Sequence, residues 1–279
     1  CNGYTINYSS NGTLGYGVNV TRYNFTTIKN CVIKEGSGTT ASKHGIYFTK
    51  VNNGTIINNT INTTGSGSHG IYLFASSTNL NTVSNNTISS SSTGYGIYLD
   101  QVTSTTISNN TITTSGNAYG VFISQSPTNV LTFNQVNSSQ SQSYVIYGIN
   151  LGHNNQSIDS SNLAEGKPVN YTFNGQNINI SNNDSFGQVI CGWCNNVTYN
   201  NITVNEGDGI NLFYTSNSII VNSTINTSKG YGIYVNQRAV NNTLSNNNIN
   251  TTGTNGYGIY LFTDVNYTTV NNNQINTTG

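Results

Sequence analysis

"GYGIYVNQRAVNNTLSNNNINTTG" (Gly230–Gly253) is followed almost at once by "GYGIYLFTDVNYTTVNNNQINTTG" (Gly256–Gly279). Set against each other at an offset of 26, from Lys229 to Gly253 and from Asn255 to Gly279, the two stretches agree at 13 of 25 positions. The Gly-apolar-x-apolar phrase inside each returns upstream at Gly17, Gly45, Gly70, Gly96, Gly120, Gly148 and Gly209, with a poorer copy at Gly187. Its intervals run from 22 to 28 residues, apart from one of 39 before Gly187. Self-similarity at such a period marks a solenoid, with one structural unit per period.

Within a period the alternation is that of strands. In "GIYL" at Gly70, Ile71 and Leu73 face one side and Tyr72 the other, and a second apolar block follows, as in Val83 to Ile88. The expected inward set is Ile46, Ile71, Ile97, Val121, Ile149, Ile210, Ile233 and Ile259, stacked with Ile33, Ile61, Ile88, Ile112, Ile225, Ile249 and Ile275. Two or three short strands per period and no helix predict an all-β fold, a single-stranded parallel β-helix of about ten coils. Leucine-rich repeats have a similar period but need a Leu framework that is missing. One β-helix is expected over 1–279, with a first run of coils in 1–150, an irregular or inserted coil in 151–186, and a second run in 187–279. Three residues before the second-block Ile stands an Asn, at Asn30, Asn58, Asn85, Asn109, Asn222, Asn246 and Asn272. Stacked coils are expected to line these amides up in an inward ladder at a tight, left-handed bend.

Composition narrows the function. Eight basic and eight acidic side chains in 279 residues leave the chain neutral and 6% charged, with no field to steer nucleic acid. Asn (53) and Ser plus Thr (71) dominate, yet 34% hydrophobic residues at regular spacing favour a core over disorder. No apolar stretch is long enough to span a bilayer, and with no initiator Met the chain reads as a mature fragment. So few carboxylates leave acid little to change, which is compatible with an acid-living archaeal source.

"CNGYTI" at Cys1, "FTTIKNCVI" at Phe25, the "NNTI…GIYL" coils and "EGKPVNYTF…GQVI" from Glu165 to Ile190 resemble the NosD-type right-handed β-helix proteins. These are pectate-lyase-like in fold and common among secreted and surface proteins of archaea and bacteria. The resemblance implies a fold and a secreted habit, because the superfamily holds lyases, hydrolases, adhesins and passive repeats alike. It also associates the NosD name with copper.

The titratable residues are sparse. The acids are Glu35, Asp100, Asp159, Glu165, Asp184, Glu206, Asp208 and Asp264, and only Glu206 and Asp208 are close in sequence. Active sites concentrate such groups, so no catalytic residue is expected. His44 and His69 precede the Gly of consecutive coils, where two imidazoles about 5 Å apart could share a metal. The same position carries Tyr16, Tyr95, Tyr119, Tyr147, Phe186, Tyr231 and Tyr257, and His153 falls out of register. An aromatic stack is therefore the expectation, a copper site the alternative, and no cofactor beyond covalent N-linked glycans is expected. Cys1 and Cys31 lie near the same bend of successive coils, within reach of a bridge, whereas Cys191 and Cys194 are a local disulfide or two thiols.

There are 22 Asn-x-Ser/Thr sites. In "INTTG" the Asn follows an inward Ile, so Asn62, Asn226, Asn250 and Asn276 are expected to face solvent and carry glycans, as are the sequons Asn7, Asn11, Asn137, Asn155, Asn170 and Asn183. Asn58, Asn85, Asn109 and Asn222 are sequons on the expected inward ladder, where few glycans are expected. The leading expectation is a non-catalytic, extracellular structural glycoprotein, an appendage subunit or surface-layer stalk that associates head to tail because no polar cap is visible at either end. The alternative is a carbohydrate-active enzyme or adhesin, with outward Tyr47, Tyr72, Tyr98, Tyr234 and Tyr260 stacking on cell-surface glycans.

Overall fold

The structure, a computed structural model, describes residues 1–10, 15–37, 42–205, 207–253 and 256–278, and of Asp184 the backbone alone. Asn11 and Glu206 thus lie outside the described residues. The chain is a parallel β-solenoid, and its one helical element among the described residues is the three-residue 3-10 turn Gly152–Asn154. It divides into two compact units, Cys1–Asn162 and Leu163–Gly279.

In the first unit each coil contributes one strand to each of three parallel sheets. One sheet holds the Gly-apolar-x-apolar strands Val18–Thr21, Ile46–Thr49, Ile71–Phe74, Ile97–Asp100, Val121–Ser124 and Tyr144–Tyr147. The second holds the short strands from Thr27–Lys29 to Ser157–Ile158, and the third the strands from Thr5–Tyr8 to Gln135–Ser138. Like stacks on like: Ile46, Ile71, Ile97 and Val121 are in register and fully buried, as are Ile33, Ile61, Ile88, Ile112 and Val136. Each such aliphatic side chain is worth roughly 1.5–3 kcal/mol of burial. Ile149 is not inward, being 58% exposed, because Tyr144 and not the phrase at Gly148 takes the register opposite Val121. Ile275, in the outermost described strand, is 46% exposed.

The amide ladder exists but runs one residue further along the chain than its expected members. Asn30, Asn58, Asn85, Asn109, Asn222, Asn246 and Asn272 all have positive φ, between 51° and 56°, and are exposed. They occupy the left-handed corner itself, a conformation Asn tolerates, and that backbone turns their side chains outward. The inward amides are their successors. Asn59, Asn86, Asn110 and Asn134 each donate Nδ2 to the Oδ1 of the Asn one coil on, at 2.9–3.0 Å, ending on Asn162. The ladder starts at Cys31, whose backbone N–H reaches Asn59 Oδ1 at 3.0 Å. Cys31 is bridged to Cys1.

The second unit opens on an antiparallel pairing of Leu163–Ala164 with the strand Lys167–Phe173. The segment expected to be an irregular or inserted coil supplies strands: Lys167–Phe173 pairs in parallel with Gln188–Gly192, and Asn179–Phe186 with Thr198–Asn205. Ile210, Ile233 and Ile259 then stack in register, as do Ile225, Ile249 and Ile275. Phe186, expected on the outer aromatic row, is 7% exposed and belongs to this unit's core beside Val189 and Tyr199. Cys191 and Cys194 are bridged.

Candidate functional site

The outer surface of the Gly-apolar-x-apolar sheet in the first unit is aromatic. The residue before each Gly lies in a row, with ring centroids 5.4 Å apart for Tyr16–His44, 4.8 Å for His44–His69, 4.8 Å for His69–Tyr95 and 5.2 Å for Tyr95–Tyr119. The outward residue of each strand makes a second row of Tyr47, Tyr72, Tyr98 and Phe122, in which Tyr72 and Tyr98 stack at 4.7 Å and 4°. The rows meet edge to face, as in His69–Tyr98 at 71°. Tyr147 is not part of this surface, since Gln142 occupies the corresponding place in its coil. The first row is stacked throughout, and in the second Tyr72–Tyr98 and Tyr98–Phe122 stack while Tyr47–Tyr72 is tilted by 35°.

Asp100 ends the strand that carries Tyr98, and Tyr72 donates its hydroxyl to Asp100 Oδ2 at 3.3 Å. Burial raises the pKa of the Asp100 carboxyl, an effect its hydrogen bonds from Tyr72, Tyr98 and Gln101 oppose. Burial also raises the phenol of Tyr98 to about 12, and that of Tyr72 further.

The two histidines are held as neutral rings. His44 Nδ1 accepts the backbone N–H of His69 at 3.1 Å, and His69 Nδ1 accepts that of Tyr95 at 2.9 Å. Both rings therefore carry their proton on Nε2. Burial lowers the pKa of His44 to about 4, and burial together with His44 lowers that of His69 to about 3.

The remaining acids have separate occupations. Glu35 accepts the N–H groups of Thr64 and Gly65 and the hydroxyl of Ser68. Asp159 holds the turn at Ser161. In the second unit, however, the structure joins residues that their spacing had kept apart: Lys229 Nζ contacts both Glu165 Oε1 and Asp208 Oδ1, the latter at 3.3 Å. The Lys229 and Asp208 side chains are 3% and 0% exposed. The readable signal was the 21-residue interval from Asp208 to Lys229, one coil long, which sets opposite charges in neighbouring coils.

The outward asparagines divide in two. Asn7, Asn62, Asn155 and Asn276 are exposed, while Asn137, Asn170, Asn183, Asn226 and Asn250 are half-buried. Asn226 donates Nδ2 to Asn205 Oδ1 at 2.7 Å, and Asn183 Oδ1 accepts from Ser185. The corner sequons Asn58, Asn85 and Asn109, expected to be inaccessible, are exposed as well. They owe their sequence to the fold: a left-handed Asn, an inward ladder residue, then the Thr that opens a strand.

Such coils, ladders and outward aromatic columns define a β-helix repeat protein. Residues 2–158, more than half of the chain and nearly all of its first unit, match the family model described as "Periplasmic copper-binding protein (NosD)", and the chain belongs to that family. Among curated proteins none matches it.

The nitrogen and sulfur donors of this chain do not fit a copper ion. Copper sites draw on imidazole, thiolate and thioether ligands. The chain has no Met, and its four Cys are paired in disulfides. Metallation of His44 or His69 at Nε2 would force a proton onto Nδ1, against the backbone N–H it now accepts. Among the described residues no three His, Cys, Asp or Glu side chains converge.

Proposed function

We propose that this chain is a non-catalytic structural scaffold of the extracytoplasmic space, whose first unit carries N-linked glycans on its corner asparagines. One observation carries the reading. Asn58, Asn85 and Asn109 open Asn-x-Thr sequons at the same exposed corner of successive coils, and no hydrogen bond engages their side-chain amides among the described residues. The equivalent corner of the second unit differs: Asn201 and Asn222 donate Nδ2 to an Asn of the preceding coil at 2.8 and 3.1 Å. Asn196 and Asn241, at the corner before the other strand of their coils, do the same at 2.7 Å. Glycan transfer needs that nitrogen, so the first unit is the favoured acceptor.

Glycopeptide mass spectrometry of the protein taken from its native cells is the test. Sugar is expected on the Asn58, Asn85 and Asn109 peptides and little on those of Asn222 and Asn241. Unmodified corner peptides from the first unit would reject the reading. Head-to-tail self-association belongs to the same proposal, supported by the stacking of like residues from coil to coil, which a second copy would continue. Electron micrographs of native material showing isolated particles at high concentration would remove that part.

A further inference from the structure

The second unit encloses one cation with two carboxylates. Lys229 Nζ lies between Glu165 Oε1 and Asp208 Oδ1, with Asp208 wholly enclosed and Glu165 21% exposed. The backbone fixes both ends of the Lys229–Asp208 pair. Asp208 N–H is held by the Gly187 carbonyl at 2.8 Å. Lys229 N–H is held by Thr227 Oγ1 at 3.0 Å, and that hydroxyl in turn donates to the carbonyl of Gly207 and bonds the carbonyl of Lys229 itself. Burying such charges is expensive, and enclosing one ammonium with two carboxylates leaves a net negative charge in the interior. Moving a proton from Lys229 to Asp208 turns two of the three charges into an amine and a carboxylic acid, which are the two partners of an amide condensation.

We propose that Lys229 and Asp208 become joined by an isopeptide bond within the folded chain, with Glu165 as the proton relay. The Lys229 Nζ lone pair forms a bond to Asp208 Cγ. Glu165 takes a proton from the nitrogen of the tetrahedral adduct and delivers it to the departing hydroxyl, the Cγ–O bond breaks, and water leaves. Glu165 ends as the carboxylate it began as. Nothing is oxidised or reduced, and the products are one amide and one water. The reaction needs no outside reagent. Its driving features are permanent proximity, worth many orders of magnitude in effective concentration, and the removal of two charges from a closed interior. Glu165, the member that reaches solvent, is placed to let the water out.

The link would tie two neighbouring coils to each other, Asp208 in one and Lys229 in the next, and Glu165 would be a catalytic residue of that single turnover.

The test is the intact mass of the full chain, expressed without glycosylation, reduced and denatured, followed by peptide mapping. The expected result is a mass lower than the sequence mass by one water, no tryptic cleavage after Lys229, and a branched peptide joining Lys229 to Asp208. Glu165→Gln retains both joined residues and is expected to give the full mass from a soluble, β-rich protein. A wild-type chain at full sequence mass overturns the proposal, and so does a branch at Glu165 or a Glu165→Gln protein that still loses water. Because wild type is read directly, a variant that fails to fold does not blunt the test.

Discussion

Asn86 donates twice to one atom of Asn110: its backbone N–H and its Nδ2 both reach Oδ1 at 3.0 Å. Asn86 Oδ1 in turn accepts the same two donors from Asn59, and its Nδ2 also bonds the Ile56 and Ser84 carbonyls. Asn86→Ala therefore strips a partner from Asn59 N–H and from the Ile56 carbonyl, both inside the coil. At about 1–3 kcal/mol for each buried polar group left unsatisfied, the expected loss is on the order of 3 kcal/mol, measured by denaturant melts. Asn86→Ser should recover part of it. The second unit has Ser at the equivalent corner: Ser223 Oγ accepts Ile202 N–H and donates to the Val221 carbonyl.

Gly70 is required by contact with the next coil. A Cβ there would lie 2.6 Å from the Gly96 carbonyl oxygen and 2.4 Å from Ile88 Cγ2. The first is backbone and the second is a branched side chain packed in the core, so neither yields cheaply. Gly70→Ala is expected to destabilise by about 1–3 kcal/mol, the usual range for overpacking, despite the favourable entropy of replacing Gly. Thermal melts that show Gly70→Ala unchanged would mean the coils are spaced more widely than here.

Acid should weaken the first unit, contrary to what so few carboxylates suggest. His44 and His69 have folded pKa values near 4 and 3, lowered by burial, against an ordinary value of 6.5. Between those limits the unfolded chain binds more protons than the folded one, so stability rises with pH across that window and is complete above it. Lowering pH from 7 to 4.5 should cost on the order of 2 kcal/mol per histidine. His44→Tyr with His69→Tyr, matching Tyr16 and Tyr95 of the same row, should flatten the slope between pH 4.5 and 6.5. A slope that persists in the double variant would trace the acid sensitivity to other groups.

The coil period and the inward Ile columns were legible because one phrase must satisfy two demands at once, a Gly where coils touch and alternate apolar residues facing in. The ladder was misplaced by one residue because Asn-Asn pairs look alike to a periodicity search. Phe133-Asn134 and Ser161-Asn162 keep the second Asn while Asn30-Cys31 and Asn222-Ser223 keep the first, so the sequence does not decide between them and the hydrogen bonds do. Ile149 was misread because a true copy of the phrase lies in a turn, and only pairing shows that Tyr144–Tyr147 is the strand. Glu165 could not be joined to Lys229 from spacing, since they are 64 residues apart and Glu165 sits in a left-handed turn between strands, where the coil repeat gives no register.

Phe133 offers a stabilising substitution at the corner that Asn58, Asn85 and Asn109 occupy. It adopts φ 56°, as they do, but it is 65% exposed and has no side-chain means of favouring that conformation. Left-handed backbone costs an ordinary L residue about 1–2 kcal/mol, and Asn less, through its local hydrogen bonding. The backbone bond made there, Phe133 N–H to Ser161 Oγ at 2.8 Å, does not depend on the side chain. Phe133→Asn should therefore stabilise by about 1 kcal/mol, a rise of roughly 2–4 °C in Tm for a unit of this size. The new residue is followed by Asn134 and Gln135, so no sequon is created. If calorimetry instead shows a fall, Phe133 must be buried in solution against something outside its own unit, and repeating the melt across protein concentration would tell whether that cover is another copy of the chain.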